Sequence, residues 1–416
     1  MSEVSGYNKN VNNNIPNRQQ VNRSGDVAQT GGIKSSQRVQ RAADRAAVEE
    51  QQQVAQKPFP TIARRMTPRD VVNQLLLLGV RPSAENRSLA TKMLMYGLEL
   101  SKENFDALEN LLKGLPKSPS VEKAAILMIT KDLNSRAGAQ SLADFLEQNP
   151  ELSKQLLDMQ QASAAVRGAL STASGTLSTA LLSQLGAMLS SLEGFINMLP
   201  KEFRDKLQKG TGFFNNAEVL TNMRAVRALI NGVSRQVAEA SPEKNSGVNN
   251  LLSALGNLSK AAKDVSQNLI VQSILSRPDG REDSALSDKF AYWQIPNSMA
   301  TPPQTIELLL EKDKKNKYRS INARRTKLVL KTETAALGEI SAEVEVEEDK
   351  LDFRFNTNDE NIRRLISSNV DELRKKMETY SYKTQSVRVV KRNLDVKKFL
   401  IPTLELNDLT RVQTEV

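Results

Sequence analysis

A chain of 416 residues with no histidine and no cysteine lacks the commonest general base, the commonest metal ligand and all thiol chemistry. Carboxylates and lysines remain for acid–base work. Glu347-Glu348 falls between two alternating apolar runs, where solvated charge at a hairpin tip is the ordinary explanation. Asp349, Asp352, Asp359 and Glu360 lack the spacing of a calcium loop. No GxxxxGK[ST] or GxGxxG phosphate loop and no GxSxG elbow occurs. No catalytic residue, metal ligand or cofactor is therefore assigned, and the chain is read as non-enzymatic. The basic run from Lys312 to Arg325 could meet phosphates, but Tyr318 is its only aromatic, so base stacking has little to rest on. A solvated loop is the plainer reading.

The elements around these residues are clearest at the C-terminal end. Ile340, Ala342, Val344 and Val346 alternate with polar residues, and so do Leu351, Phe353 and Phe355. Period two means strands with one buried face. A tight turn at Glu348-Asp349 sets Val346 against Leu351, Val344 against Phe353 and Ala342 against Phe355. The same register places Glu343 opposite Arg354 and Glu347 opposite Lys350 on the wet face, but costs a Glu345–Asp352 like-charge pair, which leaves a longer loop as the alternative. Thr357 and Glu360 have capping-box spacing for one long helix. Its apolar stripe runs through Ile362, Leu365, Ile366, Val370, Leu373, Met377 and Tyr380. Phe353 and Leu365 are expected to join hairpin to helix in a core. Strands are also expected over Gln304 to Glu311, with Ile306, Leu308 and Leu310 on one face, over Thr326 to Thr332, and around Val387 and Val389.

This order of strand, Leu337-Gly338-Glu339 turn, hairpin, helix and strand resembles the C-terminal domain of flagellar hook-length control proteins and their injectisome needle-length relatives. The shared features are the Leu-Gly step before an alternating strand and a leucine-arginine pair late in the helix, here Leu373-Arg374. The family usually has a proline-acid lead into the leucine-glycine where this chain has Thr334-Ala335-Ala336, often has Leu-Pro where this chain has Val370-Asp371, and often has a glycine after the helix where this chain has Ser381. The resemblance covers roughly Trp293 to Lys391. It implies a protein exported through the growing hook, whose C-terminal domain meets the cytoplasmic domain of the type III export gate switch protein. It also implies contact with hook and hook-cap proteins. Leu337, Gly338, Glu339, Leu373 and Arg374 are the partner-binding residues it suggests.

The remainder reads as three further regions. Residues 1–66 are polar and unpatterned, and are expected to be a disordered tail, with an export signal as the resemblance's reading. Residues 67–146 read as a small helical bundle. Thr67-Pro68, Ser83 and Ser101 start its helices, and Gly79, Gly97 and Gly114 stop them. The steps Ser83-Ala84-Glu85-Asn86 and Ser101-Lys102-Glu103-Asn104 are alike, though two copies make no solenoid. Residues 147–276 read as long helices, a possible ruler or spacer, with Gly168, Gly175 and Gly186 as weak points. Residues 277–289 read as a linker, 290–395 as the C-terminal domain and 396–416 as a tail in which Phe399, Leu400, Ile401, Leu404 and Leu406 could dock.

The fold class expected is thus a disordered N-terminus, an all-α middle and a small α+β C-terminal domain with a mixed sheet and one long helix. No run approaches the ~20 apolar residues of a membrane span, and the N-terminus lacks the pattern of a Sec signal peptide. Cytoplasmic synthesis followed by export through the flagellar channel is what the resemblance implies. Residues 1–280 would span on the order of 900 Å fully extended or 420 Å if helical. The competing readings are an injectisome needle-length regulator, which genomic neighbourhood would separate from a flagellar one, and a basic scaffold or nucleic-acid-binding protein, suggested by the net charge of +10. Salt-dependent retention on DNA would mark the latter.

Overall fold

The computed structural model describes residues 62–209, 217–240, 246–277, 290–297, 303–312, 322, 324–334, 338–401, 404 and 410–413. Ala63–Arg411 forms a compact unit. The tail expected over 1–66 lies outside the described residues as far as 61; beyond it a short strand, β1 (Ile62–Arg65), and the buried Met66 precede the first helix.

Five helices follow in close succession: α1 (Pro68–Leu77), α2 (Ala84–Met95), α3 (Lys102–Leu112), α4 (Pro119–Thr130) and α5 (Arg136–Gln148). Each begins after a hydroxyl N-cap, at Thr67, Ser83, Ser101, Ser118 and Ser135. Each is followed by a left-handed residue, at 79, 97, 114, 132 and 149, in steps of 18, 17, 18 and 17. Such a residue lets the next amide turn back onto the helix. Val80, Leu98 and Leu133 N–H each donate to a carbonyl five residues earlier at 2.8 Å. Val80 and Leu98 are buried in the core of these helices, and Leu133 packs against it. The similarity read from two copies therefore runs through five helices. The last two left-handed positions are Asp132 and Asn149 rather than glycine, which hid the period.

The middle region is folded. α6 (Leu152–Ala173) ends in a 3-10 turn at Ser174–Thr176, so the chain breaks at Gly175 as expected while Gly168 and Gly186 stay helical. α7 (Thr179–Lys209), α8 (Ala217–Ala240) and α9 (Ser246–Ser276) complete it, and α9 packs on α6 and α8. At 31 residues α9 is about 46 Å long.

The sheet is six-stranded and mixed: β2 (Phe290–Asn297), β3 (Gln304–Glu311), β4 (Arg325–Thr334), β5 (Gly338–Glu347), β6 (Lys350–Asn356) and β7 (Lys383–Val390), in sequence order. All neighbours are antiparallel except β6 and β7, which are parallel and joined through α10 (Glu360–Ser368) and α11 (Val370–Thr379). The hairpin register is the expected one at every pair from Ala342–Phe355 to Glu347–Lys350. Glu348 takes φ +56° to make the two-residue turn.

The two halves of the sheet bury their faces differently. On β2 and β3, Ala291, Trp293, Leu308 and Leu310 join the core of α6–α9. Their alternates Phe290, Tyr292 and Leu309, with Val329 of β4, join the core of α1–α5. This half has helical cores on both faces. The other half, β5–β7, has its own cluster of Val344, Val346, Leu351 and Phe353 under Leu373 and Met377. The chain beyond Asn393 also docks. Leu394, Val396, Leu400 and Ile401 are buried on the α1–α5 side through a short helix, α12 (Val396–Leu400), and Phe399 meets Phe290 edge-on at 5.7 Å. The last strand is β8 (Thr410–Gln413).

Several expectations are corrected. The long helix is two, broken at Asn369, whose backbone leaves the helical region at φ -105° and ψ 10°. Asp359, not Thr357, is its N-cap, accepting from Asn361 and Ile362 N–H, while Thr357 is buried below it. Leu365 is 47% exposed, because the break turns it away from the hairpin that Leu373 and Met377 cover; Tyr380, 71% exposed, is the C-cap beyond the last packed turn of the second helix. Leu76, placed in the stripe of the first helix, is also exposed. Glu343 is not on a wet face but buried, because cations from β4 and from beyond β7 close over it.

Candidate partner-binding surface

The residues singled out from sequence fall in two places. Leu337 lies outside the described residues. Gly338 opens β5 at φ +59°, paired with Thr334, and a Cβ built there would meet nothing within 4 Å. Its glycine therefore serves the backbone angle, not a close approach. Glu339 follows, with its carboxylate 2.9 Å from Lys331 Nζ. Leu373 is half-buried against the hairpin cluster and acts in packing. Arg374 is exposed, as expected, and lies 3.3 Å from Asp371.

Gly338 and Glu339 form one end of an open groove of about 590 Å³. Its wall is the start of α10, with Asn358, Asp359, Asn361 and Ile362, and the exposed Leu365; Asn393 closes the far side. Leu373 and Arg374 are not part of it. Asn358 bonds Asn393 across the groove, and Asp359 is spent on the helix cap. The groove thus offers an apolar floor at Ile362 and Leu365 among amide side chains, with Glu339 at its rim. Sequence reading missed Leu365 as a surface residue because its spacing from Ile362 is that of a core stripe. The break at Asn369 has no proline or glycine to announce it.

Beside the groove, Glu343 ties the sheet together. It is 4% exposed, and Lys327 Nζ stands 2.9 Å away from β4. Arg392, beyond β7, pairs with it and also donates to Asn356 at 2.8 Å; Arg354 lies at 3.9 Å. Burial alone would lift this carboxyl, but the Lys327 hydrogen bond and the charges of Lys327, Arg392 and Arg354 outweigh it and hold the group below its ordinary range. Lys327 also lies 3.4 Å from Glu345, which eases the Glu345–Asp352 pairing the register imposes.

Among the described residues, no group of three or more acidic side chains could hold a metal ion, and no helix is long and apolar enough to cross a membrane. Of the basic run, Lys312 is buried and donates to the Ser276 carbonyl at 2.9 Å, and Arg324 pairs with Glu348 at 3.9 Å. Lys314, Lys315, Lys317 and Arg319, and the N-terminal Arg18, Arg23, Arg38, Arg41 and Arg45, lie outside the described residues. No protein-family model, curated protein or solved structure matches the chain.

Proposed function

We propose that this chain is a type III secretion regulator of the flagellar hook-length control kind, in which the β4–β7 half of the sheet with α10 and α11 is the substrate-specificity switch. The observation that carries this reading is the backbone at two of the three places where the chain departs from the family's usual residues; at the third, Thr334-Ala335-Ala336, residues 335 and 336 lie outside the described residues. The helix breaks at Asn369, so Asp371 stands in the first turn of α11, where a proline is readily accepted. Ser381 takes φ +66°, where a glycine is favoured. A backbone suited to the family's proline and glycine, in a chain that has neither there, supports a shared fold.

On this reading the protein is made in the cytoplasm and exported through the flagellar channel. The groove at Gly338, Glu339 and Leu365 meets the export gate switch protein, with hook and hook-cap proteins as contacts of the regions threaded first. The helical middle shares a core with the sheet, so a ruler role requires it to unfold for threading. A nucleic-acid reading draws no support from Lys312, which is buried against the end of α9.

The experiment is genetic and biophysical together. Deletion of the gene in the producing bacterium should give over-long hooks without filaments; normal hooks would end this reading. Gly338→Ala, Leu365→Asp and Arg374→Ala then test the surface, with folding checked on each purified full-length variant. Folded groove variants that reproduce the deletion assign the groove, and folded variants with normal hook length remove it.

A further inference from the structure

The sheet and the helical body meet through a polar hub buried between them. Gln294 of β2 stands at its centre. Its side-chain oxygen accepts from Leu152 N–H at 2.9 Å, at the start of α6, and from Asn268 of α9 at 3.0 Å. Its amide donates to the Pro150 carbonyl at 2.9 Å and to the Tyr292 hydroxyl at 3.0 Å. Gln272 donates to Asn268 at 2.8 Å and accepts from Gln294 N–H at 3.1 Å. The hub ends at Glu307 of β3, whose carboxylate accepts from the Tyr292 hydroxyl at 2.6 Å.

Glu307 is the carboxyl of this hub; Tyr292, held well above the ordinary phenol range, stays neutral where a carboxyl titrates. Glu307 is 8% exposed, and Tyr292 is fully buried. The titratable groups facing it are Tyr292 on β2, Lys331 directly across on β4, Lys397 on α12 and Glu151 before α6. Neither lysine is committed to it: Lys331 Nζ is 2.9 Å from Glu339, and Lys397 Nζ donates to the Leu146 carbonyl at 2.7 Å. A buried carboxylate with one strong donor and, among the described residues, no ion-pair partner is costly when charged. By contrast Glu343, also buried, is met by three cations.

We propose that Glu307 is a protonation-controlled latch between the helical body and the sheet, closed when its carboxyl is neutral and loosened when it ionises. Burial lifts this carboxyl above its ordinary value; the Tyr292 hydrogen bond and the charges of Lys331 and Lys397 only partly oppose that. The sign follows from the raised value. The junction is strongest below the unfolded-state pKa and weakens as pH rises through the folded-state value. The latch is independent of the secretion reading and needs no partner.

The test compares full-length wild type with Glu307→Gln, which keeps the shape without the charge. The wild-type unfolding equilibrium constant, relative to the variant's, should rise as pH climbs from the ordinary glutamate range, about 4, towards neutrality, and then level off once the folded-state carboxyl has ionised. A ratio that stays flat overturns the latch. Should Glu307→Gln not fold, Tyr292→Phe decides: loss of the donor must cost more at the higher pH, and equal cost at both overturns the proposal. Amide exchange, corrected for its intrinsic pH dependence, locates the effect. Protection should fall over residues 290–297 and the first turn of α6 while the hairpin 338–356 is unchanged. A change of equal size in both places would also overturn it.

Discussion

Replacing Ser381 with glycine should make the protein more stable. Ser381 follows α11 at φ +66°, its N–H donating to the Glu378 carbonyl at 2.9 Å while Tyr382 N–H donates to the Met377 carbonyl at 3.1 Å. That pair of bonds is the Schellman turn, and Tyr382 and Met377 add its apolar contact within the hairpin cluster. An L-residue in the left-handed region carries about 1–2 kcal/mol of steric cost. Glycine removes it but brings about 0.5–1 kcal/mol of extra chain entropy to be lost on folding. The net gain is therefore about 0.5–1 kcal/mol. Ser381 is exposed, so no buried contact is lost in the exchange. Urea unfolding of the full-length protein, with Ser381→Ala as a control that keeps the Cβ, measures it. An alanine variant as stable as the glycine variant, or a glycine variant less stable than wild type, would refute the backbone account. It would also remove the observation on which the family reading rests.

Phe353→Ala should cost about 3–5 kcal/mol, since the ring is buried and stacked 6.0 Å from Phe355, whereas Leu365→Ala, half exposed, should cost far less; urea midpoints of the pair check both. Glu343→Gln should lose about 1.5–3 kcal/mol at neutral pH through its charged hydrogen bonds, and the wild type should lose the same stability as pH falls through the depressed pKa, seen as a shallower acid transition in the variant. Tyr292→Phe should destabilise the protein without altering the tyrosinate titration near the ordinary phenol range, because burial and Glu307 already hold that hydroxyl well above it; a lost titration step at the ordinary value would contradict this.

The hairpin was legible because each strand alternates strictly and the Glu343–Arg354 and Glu347–Lys350 pairs favour the two-residue turn, although Glu345 against Asp352 leaves a longer loop open. The helix starts were legible because hydroxyl caps and glycine stops are local. What sequence could not convey was burial on two faces. Leu308-Leu309-Leu310 reads as an alternating strand with one residue to spare, yet Leu309 lies in a different core from its neighbours. Glu343 looked solvated because its cations come from β4 and from beyond β7, and Arg392 is 49 residues away. Of the candidate surface, Gly338 and Glu339 were legible from a motif. Leu365 and Asn393 were not, since only the break at Asn369 and the return of the chain after β7 bring them to the same groove.

The docking of residues 394–401 has a consequence in time. The core of α1–α5 is covered in part by Leu394, Val396, Leu400 and Ile401, the product of codons read about 250 residues after those of α5. At roughly 5–20 residues per second, a ribosome delivers them on the order of tens of seconds after α5 has emerged. Throughout that interval the patch of the first five helices that residues 394–401 cover stays open, even after Phe290, Tyr292, Leu309 and Val329 have joined the same core. The nascent chain is therefore a better client for holding factors than the finished one, and a stop codon placed after Asn393 should leave a product that proteases cut within α1–α5.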